Sequence, residues 1–286
     1  MRTTAALAEL KSVERTPGEE FAAAVRDTRA RRELVVPFHT HLPAAFPLFA
    51  SRPRYPVRHL LKTAPVTGTE ACYVHEPPKG ALGASGTSYE TTPEAHFAPR
   101  LEQAELTDIT ATVPLPFGLL DWPELLTQYI DFRLLVRLSV VENQSLLHGT
   151  ADGAITGLLN LPGTRHTGSQ LGLEAAVTEA AAEVEETGGS CDGIVAHPFT
   201  YWEMVRTGLL ERLQVAGITV SRTRMIARDR LLLGDFRAAF TLLLPNVAHI
   251  ALRSGTEGDR LEACTRIGLA VHLPQHLMTL SWAAGR

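Results

Sequence analysis

Lysine is nearly missing from this chain. Lys11, Lys62 and Lys79 are the only three, and every other member of the 27 basic residues is arginine. A GC-rich genome accounts for such a bias, and arginine's planar fork also suits paired bonds to carboxylates at interfaces. The basic residues are outnumbered by 31 acidic ones, for a net charge of -4. That balance argues against a general nucleic-acid binder, which is usually basic, while leaving room for one locally basic face. Cysteine is also sparse. Cys72, Cys191 and Cys264 are scattered and odd in number, so no disulfide framework is expected and a reducing cytoplasm is the expected compartment. No apolar run approaches the roughly 20 residues of a membrane helix. The opening stretch MRTTAALAELKSVERTPGEE lacks the apolar core of a signal peptide.

What is present is ordinary in bulk: 286 residues, 45% hydrophobic and 20% charged. That is enough for one large domain or two smaller ones around a sizeable core. The dominant stretch is DWPELLTQYIDFRLLVRLSVVENQSLLHG, from Asp121 to Gly149. Asp121 with Glu124 three residues on reads as a capping-box start, and Pro123 falls where its missing N–H costs nothing. Leu125, Leu126, Tyr129, Ile130, Leu134, Leu135, Leu138, Val141 and Leu146 then recur at helical spacing, and Gly149 offers a stop. The spacing predicts one spine helix of roughly 40 Å. No enzyme motif lies on it.

Ahead of the spine, residues 1 to about 18 read as a loose arm broken at Thr16-Pro17-Gly18. A helix is predicted from Glu19 to about Glu33, with Phe21, Ala24 and Val25 on one side. Arg26, Arg29, Arg31 and Arg32 lie on the other, which reads as a solvated face, or as a contact for nucleic acid or an acidic neighbour. Prolines at 37, 43, 47, 53 and 56 forbid a helix over 34–56 and favour an extended strap. Such a strap, with no partner in its own domain, is expected to lie on another surface. Residues 57–113 read as a long hairpin: VRHLLKTAP and EACYVHE on one side, LEQAELTDITATVPLP on the other. Ile109, Ala111 and Val113 alternate with Asp108, Thr110 and Thr112 as a half-buried strand should. The intervening tip carries Gly80, Gly83 and Gly86 but no GK[ST] ending and no helix, so it is a loop and not a phosphate cradle.

Beyond the spine come a glycine-rich connector (Thr150 to Gln170), a helix from Leu171 to about Thr187, and a strand at Ile194-Val195-Ala196. Thr200 to Glu203 spells a capping box that opens a short helix ending near Gly208, and the remainder is β-rich. Three catalytic patterns deserve weighing. His39 and His41 form an HxH pair whose rings would share one strand face, as in metal-dependent hydrolases, yet no alternation of strands and helices follows. GSCDG, Gly189 to Gly193, matches a cysteine nucleophile elbow, but a helix enters and a strand leaves, the reverse of the order an elbow needs. His197, with Asp192 and Glu203 near in sequence, lacks a nucleophile to serve.

Several pieces together resemble one family. The capped spine ending in a glycine, the strand–Pro–helix GIVAHPFTYWEMV, the run GITVSRTRMIARDRLLLGDFRAAFTLLL with its Gly234-Asp235-Phe236, and the final VHLPQHLMTL are similar to segments of the tailed-phage major capsid protein fold, shared by encapsulin shells. The match covers most of residues 57–282. The resemblance implies an α+β capsid-like fold with an N-terminal arm (1–56), an extended hairpin loop with peripheral-domain strands (57–112), a peripheral-domain spine helix (113–149), an axial domain (150–265) and a closing peripheral strand (266–286). It implies an encapsulin nanocompartment shell, a cytoplasmic icosahedral homo-oligomer enclosing a cargo protein, with no enzyme activity, cofactor, metal or membrane. The short segment ahead of the hairpin favours that reading over the alternative, a phage or prophage capsid enclosing DNA. A soluble enzyme using Cys191 or the His39/His41 pair is the third. On the resemblance, the turn at Arg206, Thr207 and Gly208 is expected near a fivefold pore.

Overall fold

A computed structural model describes residues 15–28, 33–40, 56–76, 99–256 and 258–282. In chain order the elements begin α1 (Pro17–Thr28), β1 (Val35–His39), β2 (Lys62–Pro65), β3 (Glu70–His75), β4 (Arg100–Glu105) and β5 (Thr107–Pro114). The spine follows as α2 (Pro123–Tyr129), a π-turn at Ile130–Leu134 and α3 (Leu135–His148). Next come β6 (Arg165–Ser169), α4 (Leu173–Glu186), β7 (Gly193–Ala196), α5 (Pro198–Arg206), α6 (Leu209–Val215) and β8 (Thr219–Arg222). The chain closes with β9 (Arg230–Gly234), α7 (Phe236–Ala239), β10 (Phe240–Leu244), β11 (Val247–Arg253), β12 (Arg260–Val271) and β13 (Leu277–Trp282). The fold is mixed α+β. By compactness it divides into two units, one made of 1–52, 110–138 and 246–265, the other of 53–109, 139–245 and 266–286.

In the first unit α1 packs on α2, burying Phe21, Ala22 and Val25. The Gly18 N–H donates to the Asp131 carboxylate at 2.9 Å, so a side chain on the spine satisfies one of the orphan donors of α1. Gly18 is required there, because a Cβ would lie 2.5 Å from the Thr127 carbonyl oxygen. Of the arginines expected on this helix, Arg26 is exposed, and 29–32 lie outside the described residues. The strap expectation is corrected over 35–39: β1 pairs antiparallel with β11, Pro37 opposite His249, and β11 continues to β12. β1 is an edge strand with Pro37 exposed, the place where a residue without N–H is tolerated. Residues 41–55 lie outside the described residues.

The second unit is built on a five-stranded sheet ordered β6-β13-β9-β7-β8. Ile194 and Ala196 of β7, Leu231 and Leu233 of β9, and Met278, Leu280 and Trp282 of β13 share one core cluster with α4, α5 and α6. The period of two in all three strands places them on one sheet face. Each fully buried leucine contributes about 1.5–3 kcal/mol. One sequence expectation changes here. The glycine-rich connector contains β6, which pairs parallel with β13. The closing segment pairs with β6 and β9, within the sheet of this unit.

The hairpin is narrower than expected. VRHLLKTAP does not enter it: residues 56–61 form turns and β2 pairs parallel with β10. β3 and β4 form the ribbon, Glu70 opposite Glu105 through His75 opposite Arg100, and 77–98 lie outside the described residues. At its base Tyr73 stacks edge-on to His272, whose Nδ1 meets the Val74 carbonyl at 2.9 Å, while His75 Nδ1 meets the Val271 carbonyl at 2.6 Å. The spine differs in two respects. Trp122, not Asp121, sits at its N-cap with no side-chain bond, because Leu119–Asp121 is already a 3-10 turn. Its middle opens into the π-turn that carries Asp131. Pro123 at the first turn and Gly149 as the stop, at φ 91°, agree with the sequence.

Candidate functional site

Of the catalytic patterns, Cys191, Asp192 and His197 have structural surroundings. Cys191 is buried, and burial, followed by the charge of Asp192, pushes its thiol up to about 12. No thiolate is available there. Asp192 accepts from the Phe236 amide at 2.8 Å and the Arg237 amide at 3.2 Å, while Asp235 accepts from Ala238 at 2.9 Å and from Ser190 at 3.0 Å. These two carboxylates cap α7 and pin it to the turn before β7. Burial raises the pKa of Asp192. His197 is the N-cap of α5: its Nδ1 accepts from the Phe199 amide at 3.2 Å. The capping box expected at Thr200 is therefore corrected, since Pro198 takes the first helical position two residues earlier and the Thr200 hydroxyl donates to the Arg228 carbonyl at 2.8 Å. His39 ends β1, and His41 lies outside the described residues.

Gly234-Asp235-Phe236 forms a structural knot. A Cβ on Gly234 would collide with the His276 carbonyl, Asp235 makes the caps just described, and Phe236 is wholly buried. The Phe236 ring lies so close to Gly193 that a Cβ there would come within 2.7 Å of it. Beside it His276 is 5% exposed; its Nε2 meets the Thr187 carbonyl at 3.2 Å and its Nδ1 finds no partner among the described residues. Burial holds this imidazole below its usual pKa.

The described residues leave several large apolar side chains exposed. In the first unit Phe117, Trp122, Leu125 and Phe132 are exposed, the last three at helical spacing along the start of the spine. The hairpin of the second unit exposes Val74 and Leu101. On α5, Phe199 is 63% and Trp202 59% exposed, with Val205 one turn further on. The Arg228 guanidinium lies 3.9 Å over the Phe199 ring, and that of Arg222 lies 4.5 Å over Tyr201 and 5.2 Å over Trp202. His197 stacks on Phe199 with the planes 8° apart. Sequence reading missed this face, because Arg222 and Arg228 are distant from the helix in sequence and no spacing rule brings them to it. Arg206, Thr207 and Gly208 form the turn from α5 to α6, Arg206 and Thr207 exposed, and Gly208 at φ 71°.

Large apolar residues in such clusters mark interaction surfaces in soluble proteins. The chain resembles the capsid of an empty GTA particle computed with C5 symmetry, at TM-score 0.57 and 15% identity, over 93% of this chain and 99% of that one. It resembles Mycobacterium phage Adephagia at TM-score 0.58 and 11% identity, over 92% and 98%. It resembles a virus-like particle from Pyrococcus furiosus at TM-score 0.53 and 12% identity, over 79% and 94%. The fold is that of the tailed-phage major capsid protein. No protein-family model and no curated protein sequence matches the chain.

Proposed function

We propose that this chain is a shell protein that assembles with copies of itself into a closed icosahedral particle. The observation that carries the reading is the set of large apolar side chains left exposed on each unit of a capsid-type fold: Phe117, Trp122, Leu125 and Phe132 on one, Phe199 and Trp202 on the other. In a closed assembly each such face finds a complementary one on a neighbour. The chemistry at Cys191, Asp192 and His197 is structural, which supports a container over an enzyme. Within the shell reading we place an encapsulin-type compartment first, enclosing a cargo protein in the cytoplasm. A net charge of -4 suits a protein cargo better than packed DNA.

A phage or prophage capsid enclosing DNA is the second reading. It is supported by the likeness to Mycobacterium phage Adephagia over 92% of this chain, while phage XM1 and the Pyrococcus particle each cover 79%. The arm, hairpin, spine and axial division carries over to both, with Leu277–Trp282 grouped by its pairing with the sheet of β7 and β9. The turn Arg206-Thr207-Gly208 is the proposed rim of a fivefold pore. Particles purified from cells are the test. A stoichiometric co-purified protein is the expected content, and nuclease-resistant DNA filling the particles would overturn the cargo reading in favour of the second. Cryo-microscopy that places Arg206 away from every symmetry axis would remove the pore.

A further inference from the structure

Two faces of the second unit carry opposite charge that the unit itself leaves uncompensated. The first is the face of α5, where Phe199, Trp202 and Val205 repeat at three-residue intervals, with the Arg228 guanidinium over Phe199 and that of Arg222 over Trp202. Among the described residues neither guanidinium comes within 4 Å of a carboxylate. The rings hold the cations in place, and arginine sheds its hydration more readily than lysine, so this is a surface prepared to be covered. Tryptophan, tyrosine and arginine in one patch are also the composition of interface hot spots.

The second is the outward face of α4. Ala175 and Ala182 run along its centre, with Glu179 on one side and Glu174 and Glu185 on the other. Arg212 takes Glu174 at 2.7 Å. Glu179 and Glu185 meet no cation within 4 Å among the described residues. The small central residues leave a shallow, flat strip that bulky rings can cover, and the flanking carboxylates stand where a pair of guanidiniums would meet them.

We propose that the aromatic–arginine face of α5 on one copy docks on the acidic face of α4 on a second copy, with Arg222 and Arg228 pairing with Glu179 and Glu185. The charges select the partner face. Basic against basic and acidic against acidic are both repulsive, so the basic face of one copy meets the acidic face of another. A head-to-tail contact satisfies both faces at once, and it closes a ring when its rotation divides a full turn. A nucleic acid would account for the basic face alone and leave the acidic one unexplained. This inference rests on the shell reading, and the test separates the two.

The test uses charge reversal in the full chain, read by particle yield in size-exclusion chromatography. The variants are Arg222→Glu with Arg228→Glu, Glu179→Arg with Glu185→Arg, and all four together. Each pair is expected to lower particle yield by about tenfold or more, and the four-fold swap to restore it, since like charges across an interface repel and opposite ones attract. Recovery in the swap also shows that the single-face variants lost a contact and not their fold. Parent particles with reversed pairs that assemble normally overturn the docking alone, as does a swap that stays unassembled. A basic-face reversal that only removes co-purified nucleic acid assigns that face to a polyanion and overturns it too. A parent chain that forms no particles overturns the shell reading together with it.

Discussion

Gly234 sits where the chain passes against the His276 carbonyl, with φ at 155° and no room for a side chain. Gly234→Ala is expected to cost about 3 kcal/mol, from backbone strain and displacement of the 276–277 turn, read as a lowered denaturation midpoint. His276 makes a prediction in pH. Its folded pKa lies below its usual value because burial disfavours the charged ring. The unfolded chain therefore takes up a proton first, so the contribution is complete above about 6.5 and declines as pH falls below that value. Asp235 and Glu76 act in the opposite direction on this ring, but burial dominates. Melting temperature should fall between pH 7 and pH 5, and His276→Gln should flatten that fall. An unchanged slope would mean that other groups set it. Asp192 enters only at lower pH: its raised pKa favours the protonated, folded form, so acid relieves its burial.

At the scale of elements, the spine is anchored by charge as well as by its leucines. Glu142 is wholly buried and paired with Arg58, whose Nε donates to it at 2.8 Å, while the neighbouring Asn143 accepts from the Val57 amide at 3.2 Å. Breaking a buried pair from one side strands the other charge. Glu142→Ala should therefore cost about 3–5 kcal/mol and Arg58→Met with Glu142→Leu much less, a comparison that calorimetry can make. The helical period of Leu126, Ile130, Leu134 and Leu138 was legible in the sequence, as were Pro123, Gly149 and the alternation of Ile109 and Ala111. These are local signals, and all of these leucine, isoleucine and alanine side chains are buried. The π-turn at Ile130–Leu134, β6 inside a glycine-rich stretch and the parallel pairing of β2 with β10 were not legible. The two strand pairings depend on partners far along the chain, which override local preference. Gly234-Asp235-Phe236 was recognised as a pattern, but its cause lies in the approach of 276 and in Asp192, neither of which the pattern contains. The α5 face was invisible for the same reason, since its arginines arrive from the end of β8 and the segment after it.

At the scale of the molecule, each unit buries its own core and still leaves large rings outside. A lone soluble enzyme has little use for an exposed Trp122 on the start of its spine or an exposed Trp202 with the Arg222 guanidinium over its ring. A shell subunit has, because its surfaces are interiors of the assembly. The direct measurement is size-exclusion chromatography with light scattering and negative-stain microscopy on the chain expressed by itself. The account predicts uniform hollow particles eluting at the void. A single peak at the mass of one 31.1 kDa chain in mild buffer, with no particles on the grid, would contradict it.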